Sequence, residues 1–151
     1  ALRVTMTLYE DLSKDELLSL KSELEKKYFS IPWSYDSLMK EVNNAGSIFC
    51  VAVEDEKVVG YGGMLLVIDE GDITNIVVEE NYRGKSIGKS ILDYFFKEGG
   101  KRNIESFTLE VRVSNEIAIK LYEKMGFVSE GVRKRFYEHP VEDALIMWKR
   151  K

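Results

Sequence analysis

The feature that most constrains this chain is a β-rich run that leads into a glycine- and lysine-rich turn at the start of a helix. It occupies residues 75–92, NIVVEENYRGKSIGKSIL. A second strand-to-helix transition follows in residues 109–127, LEVRVSNEIAIKLYEKMGF. In both, a strand pattern gives way to apolar residues at helical spacing, a succession that favours an α/β domain.

The rest of the sequence predicts the element order β-α-α-β-β-β-α-β-α-β-β, with one domain over residues 1–151. Helices are expected after the capping box that begins at Ser13, after Ser34 and after Ser114, and a further helix ends at Gly99 and Gly100. Strands are expected at residues 2–8, 47–53, 57–66, 72–78, 107–113, 127–133 and 144–149.

Composition narrows the classes of function. The net charge of −4 gives no global basic field, so we expect no nucleic-acid partner. No run approaches the ~20 apolar residues of a membrane span, and the start of the sequence has no signal segment, which makes the cytoplasm the expected location. Cys50 is the only cysteine, and its apolar surroundings favour core packing over a nucleophilic role.

The glycine-rich turn predicts an anion site. Backbone N–H groups converge at such a turn, and the helix dipole adds positive potential, which suits a pyrophosphate. The residues expected to form it are Arg83, Gly84, Lys85, Ser86, Ile87, Gly88 and Lys89. Their spacing fits neither a Walker A loop nor the dinucleotide-binding fingerprint. The alternative is a basic, solvated helix start.

The pattern R-x-x-S-x-G at residues 83–88 resembles the R/Q-x-x-G-x-G/A acetyl-coenzyme A signature of the GNAT superfamily of N-acetyltransferases. The block LEVRVSNEIAIKLYEKMGF resembles its RimI-like branch, the ribosomal-protein alanine N-acetyltransferases, as do Pro32-Trp33-Ser34 and residues 142–147. The resemblance implies a single-domain GNAT-like α/β fold, with a mixed, mostly antiparallel sheet flanked by helices. Ser86 departs from the usual glycine, which implies strain if the turn needs a positive φ there.

By this resemblance the cosubstrate is acetyl-CoA, and no metal is involved. The backbone groups of Ile76, Val77 and Val78 are expected to bind the pantetheine arm, with the glycine-rich turn around the pyrophosphate. The side chain of Asn115 is expected to reach the pantetheine as well. Helix capping is the alternative role for Asn115.

Two side chains match the catalytic residues of the RimI-like branch. Glu110 matches the general base, and its alternative is a solvated carboxylate paired with Arg112. Tyr122 matches the acid that protonates the coenzyme A thiolate, and its alternative is core packing on the helical stripe of Leu121 and Met125. An α-amine, with a pKa of about 7.7–8.0, demands less of such a base than a lysine.

The acceptor site is less well marked. Trp33 and Tyr137, with Tyr35 and Phe136, are expected to line an acceptor groove, or else to be ordinary core or surface aromatics. Asp69, Glu70 and Asp72 form an acidic cluster that suits a cationic peptide end, and a solvated loop is the alternative.

The sequence therefore predicts an acetyltransferase that acts by direct attack of an N-terminal α-amine of a protein or peptide, with a ribosomal protein as one acceptor class. A monomer or weak dimer is expected. The alternatives are a lysine or small-molecule amine as acceptor, and a non-catalytic module that binds coenzyme A.

Overall fold

A computed structural model describes residues 4–28, 40 and 46–151 of the chain. Trp33 and Tyr35, and the helix predicted after Ser34, lie outside these residues. None of the helices described in these ranges is long and apolar enough to cross a membrane.

The strands described form one seven-stranded sheet in the order β1-β2-β3-β4-β5-β7-β6. Neighbouring strands are antiparallel except β4 and β5, which are parallel. This confirms the predicted mixed, mostly antiparallel sheet. The strands are β1 (Thr5–Leu8), β2 (Ser47–Glu54), β3 (Lys57–Val67), β4 (Glu70–Val78), β5 (Ser106–Arg112), β6 (Val128–Glu138) and β7 (Val141–Lys149).

Helix α1 (Lys14–Tyr28) covers one face of the sheet. The predicted capping box starts it: the Ser13 N–H donates to Glu16 Oε1 at 2.8 Å, and the Glu16 N–H donates to Ser13 Oγ at 3.1 Å. Its buried Leu20 and Leu24 belong to the same apolar cluster as Phe49 on β2. Burial of these side chains holds the helix on the sheet.

Helices α2 (Ile87–Gly100) and α3 (Glu116–Lys124) pack on the opposite face. Ile91 and Phe95 of α2 are fully buried against the central strands, as the helical spacing predicted. Cys50 lies in the same core, and burial raises the pKa of its thiol to about 12, so the thiol keeps its proton at neutral pH. Its predicted packing role is thus confirmed.

The β6–β7 hairpin is longer than predicted. The sequence placed the strand ends at Arg133 and Ala144, whereas the strands continue to Glu138 and restart at Val141. The reason is a bulge in which residues 134–136 lie opposite Asp143 alone. This mismatch breaks the alternation of polar and apolar residues on which a sequence-based prediction depends.

The start of α3 is also corrected. Its N-cap is Asn115, whose Oδ1 accepts from the Ala118 N–H at 3.2 Å, and not Ser114. The Ser114 N–H instead donates to Glu142 Oε2 at 2.7 Å. At the other end Gly126 has a φ of +99°, as expected of a glycine after the last helical turn.

Candidate active site

The central feature of the site is a wedge where β4 and β5 separate. The two strands pair from Glu70↔Ser106 to Ile73↔Leu109. Beyond these residues β4 follows β3, and β5 follows β7. Within the described ranges, no strand fills the gap between residues 75–78 of β4 and residues 110–112 of β5. Both edges therefore offer main-chain hydrogen-bonding groups to a ligand.

A bulge in β4 marks the point of separation. Met64 of β3 lies opposite Ile73, and the preceding Gly63 lies opposite Asn75, so Thr74 is an extra residue. Bulges bend a strand and increase its twist. The bend turns the end of β4 away from β5 and opens the wedge.

The glycine-rich turn lies between the end of β4 and the start of α2. Gly84 has a φ of +78° and Ser86 a φ of +64°, both left-handed. The predicted condition for strain at Ser86 is therefore met. Ser86 is the N-cap residue of α2, and its side chain makes no capping hydrogen bond. The first N–H groups of an α-helix have no acceptor within the helix, so this turn offers them to an anion.

Gly88 has a second role that its sequence context did not suggest. A Cβ at this position would lie 3.3 Å from Cδ2 of Leu121 on α3. The missing side chain therefore lets the first turn of α2 approach α3 closely.

The basic side chains of the turn differ in the groups that they contact. Lys89 Nζ lies 2.9 Å from Asp93 Oδ2, so its charge is shared along the helix. The Lys85 ammonium lies 5.3 Å from the ring centroid of Tyr82. Arg83 lines a cavity of about 250 Å³ that also borders Val77 and Val78. Arg83 is thus next to the β4 segment expected to bind the pantetheine arm.

Glu110 lies at the β5 edge of the wedge. Its neighbours Leu109 and Val111 are buried toward α2 and α3, so its carboxylate is on the opposite face, the face of α1. The side chain is 22% exposed, and Oε1 lies 3.8 Å from Nε of Arg133. Burial raises the pKa of Glu110, Asp72 raises it further, and Arg133 lowers it. A raised pKa brings a carboxylate closer to the range useful for a general base.

The alternative pairing of Glu110 with Arg112 is wrong. Arg112 Nη1 lies 3.2 Å from Glu142 Oε1 and also donates to the carbonyl of Pro140 at 2.9 Å. These contacts tie β5 to the β6–β7 hairpin. Among the ion pairs of the described residues, Arg133 is therefore the cation that pairs with Glu110.

Tyr122 of α3 packs on the face of the sheet opposite Glu110. Its ring packs edge-on against Phe127 with 5.9 Å between centroids. Burial raises the pKa of the Tyr122 phenol to about 12, and nearby Tyr137 adds to the increase. The phenol therefore holds a proton across the neutral range and is available as a donor.

Tyr137 of β6 is close enough to both Glu110 and Tyr122 to interact with each electrostatically. The guanidinium carbon of Arg112 lies 4.4 Å from its ring centroid. Burial raises the pKa of Tyr137, and the charge of Glu110 raises it further. Tyr137 also raises the pKa of Tyr122, so the three side chains are electrostatic neighbours around the wedge.

The other predicted acceptor residues do not share this position. Asp69 lies in the exposed β3–β4 turn, and its carbonyl accepts from the Glu105 N–H at 3.1 Å. It is three residues further from the wedge than Asp72, or about 10 Å along a strand. The structure thus brings Asp72 to the site and leaves Asp69 outside it. Trp33 lies outside the described residues.

Sequence reasoning missed Arg133. Its place beside Glu110 depends on the register of β6 against β7, where Arg133 lies opposite Ala144 just before the bulge. No pattern near Arg133 marks it as part of a site. Its position beside Glu110 could have been predicted only from the pairing register of β6 with β7.

Comparison with known proteins fits this geometry. A Bacillus subtilis protein provisionally named a ribosomal protein bS18-alanine N-acetyltransferase is 38% identical over 127 residues, covering 83% of this chain and 84% of that protein. The bS18-alanine N-acetyltransferase of Escherichia coli K12 is 30% identical over 128 residues, covering 82% and 84%. The crystal structure of the E. coli S18-alanine N-acetyltransferase superposes with a TM-score of 0.82 at 27% identity, covering 98% of this chain and 94% of that one.

Residues 7–127 match the sequence profile of the acetyltransferase (GNAT) family. The match includes β4 and β5, which border the wedge, as well as the glycine-rich turn and both helices that follow it. Together with the relatives above, it confirms the resemblance on which the sequence interpretation depended. The chain belongs to the acetyltransferase (GNAT) family and is an acetyltransferase.

Proposed function

We propose that this enzyme transfers the acetyl group of acetyl-CoA to the N-terminal α-amine of a protein or peptide. The observation that carries the proposal is the wedge, with Glu110 on one face of the sheet and Tyr122 on the other. The sequence relatives named for acetylation of an N-terminal alanine on bS18 support a ribosomal protein as acceptor. Such an acceptor is consistent with action in the cytoplasm.

The donor side of the wedge fits acetyl-CoA. The free edge of β4 at Ile76, Val77 and Val78 would hydrogen-bond the pantetheine amides in the manner of a neighbouring strand. The N–H groups of residues 84–89 would surround the pyrophosphate, with Arg83 adding charge. A Cβ at Gly84 would have no heavy atom within 4 Å, so the turn has open space for a phosphate group. Asn115 uses Oδ1 as a helix cap, which leaves its amide nitrogen to donate to the pantetheine.

When bound, acetyl-CoA supplies an activated acyl group as a thioester. Glu110 would take a proton from the acceptor ammonium, directly or through water, and the free amine would attack the acyl carbon. The N–C bond forms as the C–S bond breaks. Tyr122 would then give its proton to the departing sulfur, and its phenolate would take the remaining extra proton of the acetylated nitrogen, directly or through water, which leaves a neutral amide and a free thiol.

The test is release of free thiol from acetyl-CoA with a panel of acceptors. The panel contains peptides with free alanine or serine N-termini, the same peptides N-acetylated and carrying a lysine, and polyamines. We expect turnover with the free N-termini alone. Turnover with blocked peptides or polyamines would assign the enzyme to a lysine or small-amine acceptor. Coenzyme A binding without turnover on any amine would indicate a non-catalytic module.

A further inference from the structure

Glu110 faces two charged residues from other strands of the sheet, β4 and β6. Asp72 of β4 is in register with Thr108 of β5, two residues before Glu110 on the same face of the sheet. Arg133 of β6 places Nε 3.8 Å from Glu110 Oε1. A carboxylate and a guanidinium therefore converge on the predicted base from opposite sides.

Three further ionisable side chains belong to this part of the site. Arg112, on the same strand, is engaged with Glu142 of β7. Tyr137 of β6 and Tyr122 of α3 are phenols with raised pKa values, so they are neutral at pH 7. Asp72 and Arg133 are thus the two charged neighbours whose electrostatic interaction changes the pKa of Glu110.

The two neighbours act in opposite directions. The charge of Asp72 disfavours an ionised Glu110, and the charge of Arg133 favours it. Arg133 also favours the ionised form of Asp72, so it is shared by both carboxylates. The Arg133 side chain is 57% exposed, and its guanidinium carbon also lies 6.0 Å from the ring centroid of Phe136.

We propose that Asp72 is a positioning residue of this site, which together with Arg133 sets how readily Glu110 accepts a proton. Asp72 keeps a second negative charge beside the base, and Arg133 balances it until the acceptor cation arrives. The proposal rests on the role given to Glu110 in the proposed function. It adds two residues from strands β4 and β6 to the acceptor end of the wedge.

The experiment follows the Glu110 carboxyl directly. Protein labelled with ¹³C at the glutamate side-chain carboxyl is titrated by NMR without acetyl-CoA, and the Glu110 signal is assigned from its absence in Glu110→Gln. We expect Asp72→Asn to lower the midpoint and Arg133→Gln to raise it, each by on the order of half a pH unit. Lys134→Gln is the matched control, because it removes the next cation along β6, which lies 3.8 Å from Asp143 instead.

Midpoints that move in opposite directions support the proposal, since misfolding would not produce opposite shifts. Midpoints that stay in place, or that move in the same direction, overturn it, as does an equal shift in Lys134→Gln. The acidic limb of kcat/KM should move in the same two directions with whichever amine is acetylated. Opposite NMR shifts in a protein that acetylates no amine would overturn the proposed function while the coupling of the three groups stands.

Discussion

The two ends of the wedge are built from different parts of the polypeptide. The donor end, formed by β4 and the turn before α2, offers mostly main-chain groups held in place by a bulge and two left-handed residues. The acceptor end, formed by β5 and the β6–β7 hairpin, offers side chains whose positions depend on strand register. Substitutions should therefore act on cofactor binding at one end and on the chemical step at the other. The predictions below test this separation.

The largest effect is expected for Glu110→Gln. Loss of the general base should lower kcat by on the order of 10³-fold, while the Kd for acetyl-CoA stays unchanged, because the donor end does not use this side chain. Steady-state kinetics and calorimetric titration measure the two quantities. Glu130→Gln is the control, since Glu130 is a β6 carboxylate paired with Arg150 at 2.8 Å. A large loss of acetyl-CoA affinity in Glu110→Gln would break the proposed separation.

A smaller loss is expected for Tyr122→Phe, about 10²-fold in kcat, because a water molecule can replace the proton donor in part. With a pKa of about 12, Tyr122 should keep its proton throughout the working range. The kcat profile should therefore show no decline due to Tyr122 up to about pH 10. A decline between pH 8 and 10 that disappears in Tyr122→Phe but persists in Tyr94→Phe would contradict this assignment.

At the donor end, Arg83→Ala should weaken coenzyme A binding by about tenfold, or ~1.4 kcal/mol. Lys89→Ala should weaken it less, by about two- to threefold, because Asp93 already holds the Lys89 ammonium. Calorimetric titration gives both values. The matched control ligand is acetyl-pantetheine, which lacks the pyrophosphate and should bind all three proteins alike. Equal affinity for coenzyme A in wild type and Arg83→Ala would remove the phosphate assignment.

The smallest effect is expected for Ser86→Gly. Glycine relieves the cost of a left-handed φ, on the order of 1 kcal/mol, but adds freedom to the unfolded chain, so the net gain in stability lies between about zero and 1 kcal/mol. The melting temperature should rise by at most roughly 4 °C. Coenzyme A affinity should stay the same or improve slightly. A large loss of affinity would show that the Ser86 hydroxyl is itself a ligand.

The donor end could be predicted from the sequence because its signals are local. The glycine and lysine content of residues 83–89 predicts the turn, and β4 and α2 flank it in the chain. The same local logic gave the capping box at Ser13, which the structure contains.

The acceptor end could be predicted only in part because its geometry is non-local. Glu110 and Tyr122 were found through a sequence block, but Arg133 and Asp72 reach Glu110 through the pairing of strands far apart in the chain. The sequence at residues 134–136 shows no alternation of apolar and polar residues from which the bulge could be predicted. The separation of Asp69 from Asp72 has the same origin, since the start of β4 places Asp69 in the exposed turn, three residues before Asp72.

The close contact between Gly88 and Leu121 has a consequence for substitutions at Gly88. Leu121 is the residue before Tyr122, so the turn proposed to receive the phosphates and the helix that carries the proposed proton donor share one close contact. An added methyl group at Gly88 would press on the Leu121 side chain at 3.3 Å, so that side chain or one of the two helices would have to shift by a few tenths of an ångström. This close contact therefore couples the turn that is proposed to hold the phosphates to the helix that carries the proposed proton donor.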